Sequence, residues 1–168
     1  FGWSVASAGD VNGDGYSDVI VGAQYGSYGQ SFEGAAFVYH GSGSGITTTI
    51  QTQLECNQAS ASMGHSVATA GDVNGDGYSD VIVGAMQYDN GQADEGAAFV
   101  YHGSASGITT TIQTQLEGNQ INARYGGSVS SAGDVNGDGY SDVIVGALSF
   151  SNGQSFEGAA FVYNGSAT

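Results

Sequence analysis

Basic residues are almost missing from this sequence. Its 168 residues include one, Arg124, against 16 Asp and Glu, for a net charge of −15. No basic patch can be built from one arginine, so nucleic acid is excluded as a partner. An anionic membrane surface is excluded on the same ground. No apolar run approaches the roughly 18–20 residues of a membrane span, so membrane insertion is not expected. Proline is absent. Cysteine occurs once, at Cys56, which rules out an internal disulfide framework and reads as an incidental free thiol. No signal-peptide pattern opens the chain, which begins mid-repeat at Phe1. Helical periodicity of useful length is missing too. Glycine is the main excess, at 30 residues, about 18% against a usual share near 7%. With 40% hydrophobic and 11% aromatic residues in a regular pattern, the chain reads as ordered despite its acidity.

The pattern is an internal repeat. AGDVNGDGYSDVIVGA occurs unchanged at 8–23, 70–85 and 132–147, a period of 62 residues. EGAAFVY recurs at 33–39, 95–101 and 157–163, whereas SGITTTIQTQLE occurs twice, at 44–55 and 106–117. We therefore expect one repeat domain over 1–168, made of units 1–62, 63–124 and a truncated 125–168. Such similarity between neighbours points to recent duplication or to design. Each unit reads as four short strands, which in the first unit are Ser4–Ala8, Val19–Ala23, Ala35–Tyr39 and Thr47–Leu54. The last is the most polar and is placed at an exposed edge. Four strands at a fixed period suit an all-β propeller of four-stranded blades, the third blade lacking its fourth strand. One such sheet cannot bury both faces alone, so neighbouring units must cover it.

The loop DVNGDGYSD carries the chemistry. Asp10, Asn12 and Asp14 stand at positions 1, 3 and 5, the carbonyl of Tyr16 at 7 and Asp18 at 9. The second loop repeats them as Asp72, Asn74, Asp76, Tyr78 and Asp80, and the third as Asp134, Asn136, Asp138, Tyr140 and Asp142. Hard oxygen donors without His or Cys favour Ca²⁺ over zinc or copper, and suit it better than Mg²⁺. The plain alternative is an acidic Gly/Asp/Asn turn. Nine of the 16 acids crowd into these loops, and a divalent ion is the simple remedy for their repulsion. Three Ca²⁺ per chain would move the formal charge from −15 to −9. Position 12 is Val21, Val83 or Val145 rather than the Glu of an EF-hand.

These residues resemble the FG-GAP repeat of integrin α-subunit propellers. The motif stands at Phe1-Gly2 with Gly22-Ala23, at Met63-Gly64 with Gly84-Ala85, and at Tyr125-Gly126 with Gly146-Ala147. The proline of "GAP" is replaced by Gln24, Met86 and Leu148. The resemblance implies a propeller of typically seven blades, structural calcium in several strand 1–2 loops, an extracellular setting, and upper loops that bind proteins or, in some lectins, sugars. Three blades are too few to close a ring. The expectation is a homo-oligomer, with a dimer giving six blades preferred over a trimer giving nine, or else membership of a longer array.

The remaining residues sort by repeat position. His40 and His102, with Asn164 third, read as surface or strand-end residues. Trp3, His65 and Gly127 share one position and differ, as do the loops 24–32, 86–94 and 148–156. Trp3, His65, Tyr25, Tyr28, Tyr88 and Phe150 are therefore candidate ligand residues, with blade-edge cover as the plainer reading of the loop aromatics. Asn164-Gly165-Ser166 is a glycosylation sequon. No nucleophile–base set appears, so the chain reads as non-enzymatic: a calcium-binding scaffold or adhesion-type binding module, with a glycan-binding lectin as the alternative.

Overall fold

The computed structural model describes residues 1–167. It is all-β, with three antiparallel sheets of four, four and three strands that do not close into a ring. The first sheet holds β1 (Ser4–Gly9), β2 (Asp18–Gly22), β3 (Ala36–Tyr39) and β4 (Thr52–Leu54) in chain order. The second holds β5 (Met63–Gly71), β6 (Asp80–Ala85), β7 (Ala97–Tyr101) and β8 (Thr114–Glu117). The third holds β9 (Tyr125–Gly133), β10 (Asp142–Ala147) and β11 (Ala159–Tyr163), with β11 at the sheet edge among the described residues.

Period-two alternation decides how the sheets stack. Ile20 faces Val38 across β2 and β3, and this pair packs on Val81, Val83 and Phe99 of the second sheet. The opposite face of that sheet presents the paired Ile82 and Val100, which pack on Val143 and Val145 of the third. Sheet two is covered on both sides, and β6 and β7 are buried along their whole length. The end sheets are covered on one side only: β11 alternates half-buried and exposed. Each buried Val or Ile contributes roughly 1.5–3 kcal/mol, so stacking on a neighbour is what stabilises each sheet.

The sheets also bond edge to edge. Isolated parallel bridges join Gly34 to Met63 and Gly96 to Tyr125. Ser4 Oγ donates to the Gly64 carbonyl at 2.8 Å, and Ser66 Oγ repeats the bond to Gly126 at 2.8 Å.

The fourth strand is shorter than its sequence pattern suggests. In place of Thr47–Leu54, only Thr52–Leu54 is strand. Thr47 N–H donates to the His40 carbonyl and Gln51 N–H to the Val38 carbonyl, so the segment between them bulges off the sheet. Ile46 and Ile50 are exposed while Leu54 is buried, so Ile50 does not share the core face with Leu54.

Candidate metal centre and the opposite aromatic cluster

The acidic loops join β1 to β2, β5 to β6 and β9 to β10, at one end of each sheet. Within the first loop, Asp10 Oδ1 accepts from Gly13 N–H (2.7 Å) and Asp14 N–H (3.1 Å), and Oδ2 accepts from Gly15 N–H (2.8 Å). Asp14 N–H is shared with Asn12 Oδ1 at 3.0 Å. The side-chain oxygens of positions 1 and 3 therefore converge on a single amide. Position 5 closes the group: Asn12 Nδ2 donates to Asp14 Oδ2 at 3.0 Å. The same bonds recur around Asp72, Asn74 and Asp76 and around Asp134, Asn136 and Asp138. Backbone N–H donors, led by that of Gly139, hold the Asp134 carboxyl below the usual range.

Position 9 behaves differently. Asp18, Asp80 and Asp142 are fully buried. Asp18 Oδ2 accepts from Val11 N–H and Oδ1 from Gly41 N–H, both at 2.8 Å. Asp80 does the same with Val73 and Gly103, and Asp142 with Val135 and Gly165. This carboxylate braces the start of the loop against the turn after the third strand. Burial pushes the Asp80 carboxyl up to about 6, and those two backbone N–H groups only partly oppose it.

Among the described residues, no three His, Cys, Asp or Glu side chains form a ready cation cage. The donor set nevertheless suits a hard cation. Its members are carboxylate, amide and carbonyl oxygens, and Asp10 Oδ2, Asn12 Oδ1 and both Asp14 carboxylate oxygens, each in one hydrogen bond, keep a second lone pair. Asp10, Asn12, Asp14, the Tyr16 carbonyl and Asp18 would be the residues to hold the ion, Asp18 also bracing the loop.

The histidines at 40 and 102 prove to be neighbours of these loops. His40 Nδ1 lies 3.3 Å from Asn12 Nδ2, and His102 Nδ1 lies 3.1 Å from Asn74 Nδ2. Only the alternation of the third strand hints at this, because the contact is set by how the following turn folds back.

The candidate ligand residues divide into two groups. Trp3, Tyr25 and His65 come together at the opposite end of the sheets from the acidic loops. The Trp3 ring stands 5.6 Å from Tyr25 and 5.9 Å from His65. Trp3 and Tyr25 are mostly exposed. His65 Nδ1 bonds Gln24 Oε1, and burial lowers its pKa. The second group does not join them. Tyr28, Tyr88 and Phe150 each stand edge-on to a third-strand phenylalanine, with ring centres 5.2 Å from Phe37, Phe99 and Phe161 respectively. Tyr28 is two residues out of step with the other two. Gly26 holds their repeat position, and a Cβ there would strike the Tyr28 ring, so that ring fills the space Tyr88 and Phe150 fill elsewhere.

Sequence reasoning missed the glutamates of EGAAFVY. Glu33 and Glu95 are fully buried. Glu33 accepts from the amides of Tyr28 (3.1 Å) and Gln30 (3.2 Å), and Glu95 from those of Asn90 (2.7 Å) and Gln92 (3.3 Å). Their presence in all three units was the available signal.

Comparison with known proteins bears on the whole chain. The FG-GAP repeat family matches three times, over residues 1–39, 63–101 and 125–163. Integrin alpha-4 of Xenopus laevis is 38% identical over 153 residues, covering 88% of this chain and 14% of that protein. Integrin alpha-7 of Rattus norvegicus is 39% identical over 150 residues, covering 88% and 13%. Human integrin alpha-6 is 39% identical over 151 residues, covering 89% and 12%. The chain thus spans about one-seventh of the length of these relatives. With three blade-like sheets, a repeated strand–acidic loop–strand unit and three matches in register with them, the chain belongs to the FG-GAP repeat family, in the form found in integrin α-subunits.

Proposed function

We infer that this chain is a non-enzymatic, calcium-stabilised propeller module of the adhesion type. In this reading each β-strand pair 1–2 of a blade holds one Ca²⁺, three per chain. The carrying observation is the convergence of Asp10 Oδ1 and Asn12 Oδ1 on the backbone N–H of Asp14, repeated in all three loops. The ion would neutralise carboxylates that otherwise repel and would tie down the loop end of each sheet joint. Such weak structural sites, with dissociation constants of about 10⁻⁴–10⁻³ M, belong to calcium-rich extracellular settings. The integrin relatives support that setting and a protein ligand.

Thermal unfolding tests the reading. A site at 100 times its dissociation constant adds about 2.7 kcal/mol, and each kcal/mol raises the midpoint by about 2–4 °C at this size. Saturating Ca²⁺ should raise the melting temperature by about 5 °C or more per site, and a chelator should reverse it. An unchanged midpoint at 10 mM Ca²⁺, a concentration on the order of ten times the weakest such constant, rejects calcium.

The lectin alternative rests on one observation, the exposed Trp3 and Tyr25 rings gathered beside His65. Flat aromatic faces stack on sugars. Glycan-array binding that disappears in Trp3→Ala would favour it. Binding to protein alone would retire it.

A further inference from the structure

We propose that His40 and His102 are positioning residues that make the first two loops stronger cation sites than the third. The proposal builds on the calcium reading above. All three loops have the same nine residues, so any difference between them must come from their surroundings. The residue after the third strand is His40, His102 and Asn164 in turn. The two histidines reach the loop asparagine, whereas Asn164 is exposed and makes no bond to Asn136.

The orientation of the amide follows from its other partners. Asn12 Oδ1 accepts from Asp14 N–H, and Nδ2 donates to the Asp14 carboxylate. Turning the amide over would set oxygen against carboxylate and NH₂ against N–H. Nδ2 therefore also faces His40, and His40 Nδ1 is the acceptor. The ring's other nitrogen, Nε2, is buried without a partner against Gly107, so packing between two blades holds the ring in place. A bound cation would compete for the Asp14, Asp76 and Asp138 carboxylates. Asn136 would then lose the acceptor that orients its NH₂ group, whereas Asn12 and Asn74 would keep one on the histidine, with Oδ1 turned toward the loop. This matches the way outer partners fix the ligands of metal sites, where losing one costs about 10–100-fold in affinity.

Calcium titration calorimetry on the full chain tests this. The expected isotherm shows two sites about tenfold tighter than a third. His40→Asn with His102→Asn, which copies the third unit, should leave three weak sites. Asn164→His should convert the weak site to a tight one. Melting in chelator should be unchanged by Asn164→His, at an exposed position, which separates positioning from a merely structural role. If the double variant does not fold, Asn164→His alone decides. Three equivalent sites in the parent chain, or affinities unmoved by the exchanges, overturn the proposal while leaving the calcium reading intact. No heat of binding at any loop overturns both.

Discussion

Two glycines per unit explain why the sheets approach so closely. Gly22 ends β2, and a Cβ there would strike the Gly64 carbonyl of the next unit. Gly64 has φ +78°, and a Cβ on it would strike the Ala35 carbonyl. Gly84 and Gly126 repeat the meeting at the second joint. The obstacles are backbone atoms of two packed sheets, so nothing can give way. Gly64→Ala should cost about 1–3 kcal/mol for the left-handed backbone and about 1–3 kcal/mol more for overpacking. Gly45→Ala, at φ +106° in open space, should show only the first cost. Urea denaturation checks the difference, and equal losses would refute the close-approach argument. Cys56 gives a second test at this scale. Burial pushes its thiol up from 9.0 to about 11. Only the thiolate reacts, and at pH 8 its fraction should fall roughly a hundredfold below that of the unfolded chain. Because the folded pKa is raised, the neutral thiol favours folding below pH 9, and that contribution fades as pH climbs toward 11. Iodoacetamide labelling at pH 8 should be slow in native protein and fast in urea. Rapid native labelling would show that the thiol is not sheltered.

Among the elements, the loop after β6 shows what one buried carboxylate can organise. Glu95 collects the amides of Asn90 and Gln92 from below, and the Tyr88 ring closes over Phe99 beside it. Glu95→Ala would orphan these amides, at about 1–3 kcal/mol. Hydrogen exchange should then speed up at Asn90 and Gln92 while β6 stays protected. Unchanged exchange at both amides would count against the brace. The elements themselves were legible where the sequence signal is local. The period of 62 residues, the Val-Ile-Val runs and the EGAAFVY strands map onto β2, β3 and their repeats, and the nine-residue loop lies between two strands as read. Legibility ended where a residue's role depends on a distant partner. The alternation at 47–54 looked like strand, yet the backbone bonds of Thr47 and Gln51 leave a bulge between them. Asp18 is read as position 9 of the loop, and its second task, the bond that braces Gly41 23 residues away, has no local signal. His40 looked superficial because its contact with Asn12 spans 28 residues.

On the scale of the whole molecule, the array ends in two unlike faces that are halves of one joint. Inside the chain that joint is made twice. Ser79 N–H donates to the Asp10 carbonyl at 2.9 Å, and Ser104 N–H to that of Val11 at 3.1 Å. Ser141 and Ser166 repeat this on Asp72 and Val73, each at 2.9 Å. The matching donors on the first sheet are Ser17 and Ser42, and the matching acceptors on the third are Asp134 and Val135. Neither set has such a partner among the described residues. The apolar surfaces correspond as well. Val5 is 71% exposed where Val67 is 8%, and Val162 is 50% exposed where Val38 is 0%. If the chain assembles with itself, a second copy would meet it first sheet onto third, in a head-to-tail contact that closes when the ring is complete. We expect light scattering to report a dimer or trimer at micromolar concentration, strengthened by Ca²⁺ because the net charge of −15 opposes approach. Val5→Glu spoils one face and Val162→Glu the other, since burying an unpaired carboxylate costs several kcal/mol. Each variant alone should be monomeric. Their mixture retains one intact pair of faces and should form a two-chain complex, an outcome that a contact between like faces does not produce. A monomeric parent chain in Ca²⁺, or a mixture that stays monomeric, would reject self-assembly and leave the faces to further blades.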